Sequence, residues 1–316
     1  MKWTLKIRIL VTLALVAWLI LRTDGQQFRE ATRHWRIEFW LSAVGLYIVL
    51  QMISGLRWQL LTRPLNFQKP VRECIAFYFI AMFFNLFLPT SVGGDVARAW
   101  YLDGGSGRKA SAFVTVVVDR LSGLMVLLSL ACVGVILSPI QLQTWILFGV
   151  WGGAGAVVAG LALAPWWLAW ANRFEKIRQL TEPALIYLRR PLLMVSTTVL
   201  SLIIQAGNVT LVWLVGLAIN AAVPASYYWI MVPMVTLMTL VPISLNGMGV
   251  REGGTILFLA PLGVNCATAL SLALLWFSVF TVVSLLGGVL YLFPRLTSGK
   301  VRTSRPNGTR ELKSAA

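Results

Sequence analysis

Nine runs of apolar residues, several of them separated by clusters of arginine and lysine, decide what this chain can fold into. They cover about residues 7–21, 39–56, 73–88, 111–137, 145–164, 192–219, 229–245, 254–263 and 266–293. A helix needs about 20 apolar residues to cross a bilayer, and several of these runs reach that length. Only 12% of the 316 residues are charged, about half the share of a soluble domain. The chain therefore reads as an all-α polytopic membrane protein. Soluble nucleotide-binding enzymes, nucleic-acid modules and secreted disulfide scaffolds are poor fits. The formal net charge of +16 lies mostly between the apolar runs, where it sets orientation and meets anionic lipid rather than nucleic acid. Cys74, Cys132 and Cys266 stand singly in or beside apolar segments, and His34 is the one histidine. No metal or cofactor is expected from that spacing.

Cytoplasmic loops of membrane proteins are enriched in Lys and Arg. Arg57, Arg63, Lys69 and Arg72 mark one such loop, and Arg98, Arg108 and Lys109 the next. If both are inside, residues 73–97 enter and leave on one face as a re-entrant hairpin. Arg173, Lys176, Arg178, Arg189 and Arg190 mark a third inner loop, and the basic tail 295–316 a fourth. The linkers 138–144 and 220–228 are uncharged and read as external. Consistency then requires a second hairpin over 229–263, entering from outside, and six full crossings with both termini in the cytoplasm of the plasma (inner) membrane. This places 21 of the 27 basic residues inside; Arg22, Arg29, Arg33 and Arg36 dissent. The first run, at 7–21, has no small-residue cleavage site after it and reads as a retained helix. Residues 28–39 and 166–188 carry aromatic and apolar residues on one helical face and read as interfacial helices.

The two hairpins share a pattern. Residues 89–98 read PTSVGGDVAR and residues 242–251 read PISLNGMGVR. Proline, serine, glycine and arginine hold the same four places. Each stretch follows two crossings joined by an amphipathic segment and precedes one more. Three crossings per unit is odd, so the second unit starts on the opposite side, which the charge count requires independently. The expected architecture is one membrane domain, 1–294, made of two inverted repeats (about 1–138 and 139–294), each of three crossings and a hairpin. Such repeats, with helices broken near the bilayer middle, are common in transporters.

Proline breaks a helix and glycine lets it turn, and irregular backbone at membrane depth is tolerated where it lines a cavity. Ser91 and Ser244 supply hydroxyls there. Arg98 and Arg251 supply planar forks suited to phosphate, and an ionisable group within the membrane is a site candidate by default. The bland alternative has Arg98 reaching the cytoplasmic interface and Arg251 pairing with Glu252. Asp119 and Arg120, on the run 111–137, are adjacent and so need separate partners: Arg98 or Arg251 for the first, Asp95 or a lipid phosphate for the second.

The run Asn85 to Pro89 with Gly93-Gly94-Asp95 and Arg98, then Asp119-Arg120 with Gly123-Leu124, then Pro242 through Glu252, resembles the flippase-like transmembrane region of lysylphosphatidylglycerol synthases. The resemblance covers nearly the whole chain. It implies a membrane module that moves a lipid between leaflets. Longer members add a soluble aminoacyltransferase domain; only 22 basic and polar residues follow Pro294 here, so the membrane module alone is expected, without enzymatic activity. The expected ligand is an anionic phospholipid or a polyprenyl-phosphate-linked lipid, and no protein partner is read from the sequence. The expected lipid-binding residues are Asn85, Pro89, Ser91, Gly93, Gly94, Asp95 and Arg98, then Asp119 and Arg120, then Pro242, Ser244, Asn246, Gly247, Gly249, Arg251 and Glu252. Two other classes stand beside this one. An intramembrane lipid-modifying transferase would use Asp95, Asp119 or Glu252 as acid or base. A non-catalytic assembly partner in a lipid or envelope pathway would have no need of two opposed hairpins.

Overall fold

The computed structural model describes residues 35–88, 93–137, 142–171, 175–241 and 244–293. The first apolar run, His34, Pro89, Ser91, Pro242 and the basic tail lie outside these. The described residues are helical with no strand. α1 (Ile37–Thr62) ends in a 3-10 turn, and α2 (Val71–Phe87) and α3 (Gly93–Asp103) form the first hairpin. α4 (Lys109–Ile136), α5 (Thr144–Ala171) and α6 (Glu175–Leu188) follow. α7 (Pro191–Ala218) leads to the second hairpin, α8 (Ala225–Leu240) and α9 (Val250–Leu259), and α10 (Cys266–Leu292) closes the fold. Four helices, α1, α4, α7 and α10, are long and apolar enough to cross a membrane, and α5 and α8 contain shorter apolar stretches.

These helices are apolar nearly all round because each has both a protein-facing and a lipid-facing side. Phe148, Ile136 and Leu192 point outward, whereas Trp58, Tyr227, Tyr228, Met231 and Phe258 are fully buried. α1 and α7 form the central pair, with α2 packed on α10 and α8 on α4. The Arg36 N–H, just before α1, donates to the Ala218 carbonyl at the end of α7, 2.9 Å away, so the central helices run antiparallel.

Both hairpins are broken where the sequence indicated, by different means. The first break lies between the end of α2 at Phe87 and the start of α3 at Gly93, and the Asn85 side chain accepts from the Gly94 N–H at 2.8 Å, capping α3 from across the break. Gly94 is required there: a Cβ on it would strike the Ala81 carbonyl and the Asn85 side chain. The second break lies between the end of α8 at Leu240 and the start of α9 at Val250, with Asn246, Gly247 and Gly249 at positive φ of 51°, 72° and 82°. At its end the Glu252 carboxylate accepts the Gly249 N–H at 2.6 Å, inside the first turn of α9.

Two expectations change. The run read as ending at 56 continues as helix to Thr62, so Arg57 is a buried residue of α1 and not a loop marker. The segment 166–188 is not one interfacial helix. Its first part completes α5, and α6 docks on α4 and α7 with Tyr187 buried. The Tyr187 hydroxyl donates to the Leu61 carbonyl at 2.6 Å. The loops after α1 and α3 are also tied together: Arg108 donates to the Leu65 carbonyl at 3.0 Å and lies 4.2 Å from the Phe67 ring centroid. In the turn after α3, the Ser106 hydroxyl and then the backbone N–H groups of Arg108, Gly107 and Gly105 hold the Asp103 carboxyl below the usual carboxylate range.

Candidate functional site: a charged cavity between the hairpins

Asp119 is buried in α4 and pairs with two guanidinium groups. Arg57 reaches its Oδ1 through Nε at 3.0 Å and Nη2 at 2.9 Å. Arg98, on α3, reaches its Oδ2 through Nη1 at 3.0 Å. Burying a charge is tolerable only where it is paired and hydrogen-bonded, and Arg57 completes its set by donating to the Ser201 hydroxyl at 2.7 Å. Arg98 sits against the Trp58 and Tyr78 rings, its guanidinium carbon 4.7 Å from each centroid. Its Nε and Nη2 are buried without a hydrogen-bond partner.

Arg120 points away from its neighbour Asp119, as adjacent helical positions must. It grips Asp95 as a fork, Nε to Oδ2 at 3.0 Å and Nη2 to Oδ1 at 3.1 Å. Its side chain is 52% exposed, against 2% for Arg98. The charges thus form a chain: Arg57, Asp119, Arg98, Asp95, Arg120. In the second hairpin Arg251 donates to Glu252 at 3.0 Å and stacks on Phe277, 4.2 Å from its centroid. Arg251 Nε and Asn246 Nδ2 are buried without a hydrogen-bond partner.

These residues enclose a cavity of about 430 Å³, within the range of ligand sites. Of the residues expected from the sequence, Asn85, Asp95, Arg98, Asp119, Arg120, Asn246 and Arg251 line it. Gly93, Gly94, Ser244, Gly247, Gly249 and Glu252 do not, and belong instead to the turns and caps that hold the hairpins. Sequence reasoning missed the wall supplied by the central pair. Gln51, Ser54 and Arg57 of α1 face the cavity, as do Gln205 and Asn208 of α7. Their signal was present: polar residues three apart in otherwise apolar helices share one face. Gln205 donates to the Gly123 carbonyl of α4 at 3.1 Å, joining α7 to the helix that carries the acidic centre.

Comparison with known proteins agrees in kind. The family model described as the lysylphosphatidylglycerol synthase TM region matches residues 5–288. A UPF0104 membrane protein of Methanothermobacter thermautotrophicus is 24% identical over 293 residues, covering 82% of this chain and 86% of that protein. No solved structure matches.

Proposed function

The chain belongs to the lysylphosphatidylglycerol synthase TM-region family, and we propose that it binds a membrane lipid by an anionic phosphate and moves it between leaflets. The observation that carries this reading is the cavity itself. It lies where the broken hairpins of both halves meet, and it combines guanidinium groups with buried donors that lack partners. Such a cavity suits a charged headgroup while the tails stay in hydrocarbon. Asp95, Asp119 and Glu252 are each held by an arginine, which favours a binding role over general acid–base chemistry.

An inverted repeat gives this cavity a route to both sides, and four features support one. Arg98 and Arg251 are 153 positions apart. The same offset brings α1, α2, α3 and α4 onto α7, α8, α9 and α10 with similar bounds. It also relates Gly134, at the α4 contact with α8, to Gly287, at the α10 contact with α2. The corresponding helices α1 and α7 run antiparallel, as inversion demands. The basic loops orient the protein with both termini in the cytoplasm of the plasma membrane.

Reconstitution into liposomes with labelled phospholipids and polyprenyl phosphates tests the function. Exchange of at least one phosphate-bearing lipid between leaflets is expected; folded protein that exchanges none would overturn the reading. Topology is tested by single cysteines in a background lacking the native three. Gly104→Cys should label from inside and Pro224→Cys from outside. Equal labelling of both from one side would remove the inverted arrangement.

A further inference from the structure

Asp95 stands between two cations, gripped by one and only approached by the other. Arg120 holds it with two hydrogen bonds. On its other side, Arg98 Nη2 is 3.5 Å from Asp95 Oδ1, too far for a good hydrogen bond, and Nη2 and Nε of Arg98 have no other acceptor. A buried donor left unsatisfied is costly. We propose that a lipid phosphate takes Asp95's place on the Arg120 fork while Asp95 closes onto the free donors of Arg98, an ion exchange driven by the ligand.

The inference rests on the cavity being a lipid site and specifies how that site works. A phosphate offers the same paired oxygens as a carboxylate, so the fork that holds Asp95 fits it without rearrangement. Arg120 is the partly exposed member of the charge chain, which a ligand entering from the lipid side can reach. Asp95 gives up its pair with Arg120 and tightens the one that it already has with Arg98, and Arg98 gains acceptors that it lacks. The charge count fixes the ligand class. Arg57, Arg98 and Arg120 face Asp95 and Asp119, leaving one excess positive charge, and Arg251 is balanced by Glu252. One negative charge neutralises the cavity, so the fit is to a phosphodiester monoanion rather than to a diphosphate or a zwitterionic headgroup.

The test is binding, measured apart from transport. The purified full chain in detergent is titrated with dioctanoyl phosphatidylglycerol and dioctanoyl phosphatidylcholine, followed by tryptophan fluorescence. Asp95→Asn keeps the shape of the side chain and removes the competing charge, so it should bind phosphatidylglycerol about tenfold more tightly than the natural protein. Arg120→Ala should bind it about tenfold more weakly. Arg98→Lys preserves the charge facing Asp119 but removes the forked donors offered to Asp95. It too should weaken phosphatidylglycerol binding, although Arg120 is untouched, and this variant decides the matter if Asp95→Asn fails to fold. Phosphatidylcholine should bind weakly to all. If Asp95→Asn, or in its absence Arg98→Lys, binds phosphatidylglycerol as the natural protein does, the exchange is wrong while the lipid site stands. If the natural protein binds neither lipid, the site reading falls and the exchange with it. Binding without leaflet movement in liposomes would overturn only transport.

Discussion

Asp119→Asn should leave a protein that barely folds. The substitution keeps the shape of the side chain and removes the negative charge shared by Arg57 and Arg98, whose side chains are 5% and 2% exposed. Stripping one partner from a buried pair costs about 3–5 kcal/mol, and here one carboxylate serves two cations. A whole protein is stable by only about 5–15 kcal/mol, so the loss is a large share of the total. Thermal unfolding in detergent measures it: the variant should melt far below the natural protein or fail to accumulate. Arg57→Gln is the informative comparison, because it leaves Asp119 paired with Arg98 and should be milder. An Asp119→Asn protein that melts with the natural one would show that the centre of the charge chain contributes nothing to stability.

Gly287→Ala carries the second largest expected effect. A Cβ at Gly287 would strike the carbonyl of Phe79, and one at the neighbouring Gly288 would meet the Phe83 ring. Helices in a membrane associate through close packing at small residues, and this pair lets α10 lie directly on α2. The obstacle is backbone, which cannot rotate aside as a side chain can. Overpacking of this kind costs about 1–3 kcal/mol. Gly253→Ala serves as the control. Nothing lies within 4 Å of its Cβ, and replacing a helical glycine by alanine is worth roughly 0.5–1 kcal/mol in the other direction. Opposite shifts of the melting temperature are expected; equal shifts would mean that the α2–α10 contact does not depend on a bare backbone.

The helices and the two breaks were legible because apolar length and Pro/Gly chemistry act locally. The pairing of Arg120 with Asp95, and of Arg251 with Glu252, stood among the alternatives that the sequence offered. Arg57 did not, and the reason is physical. A run of hydropathy stops at a charge, whereas a helix stops only where its backbone loses partners. α1 passes through Arg57 because Asp119, 62 residues later, neutralises it. Trp58 and Leu61 beyond it are buried and carry the helix on to Thr62. The sequence also made Arg98 and Arg251 alike, and the fold sets them apart. Arg98 lies in the second turn of α3, locked between Asp119 and two aromatic rings, while Arg251 opens α9 beside an irregular loop. A shared residue at a shared offset carried no information about which neighbours would reach it.

The α2–α10 contact also bears on how the protein is made. Phe79 and Gly287 are 208 residues apart in the chain, so at ribosomal rates roughly 10–40 s separate the appearance of one from the other. Throughout that interval the groove on α2 that receives Gly287 has no helix to fill it. The nascent first half therefore waits in the bilayer with an open flank, and α10, the last of the described helices, is the one that seals it.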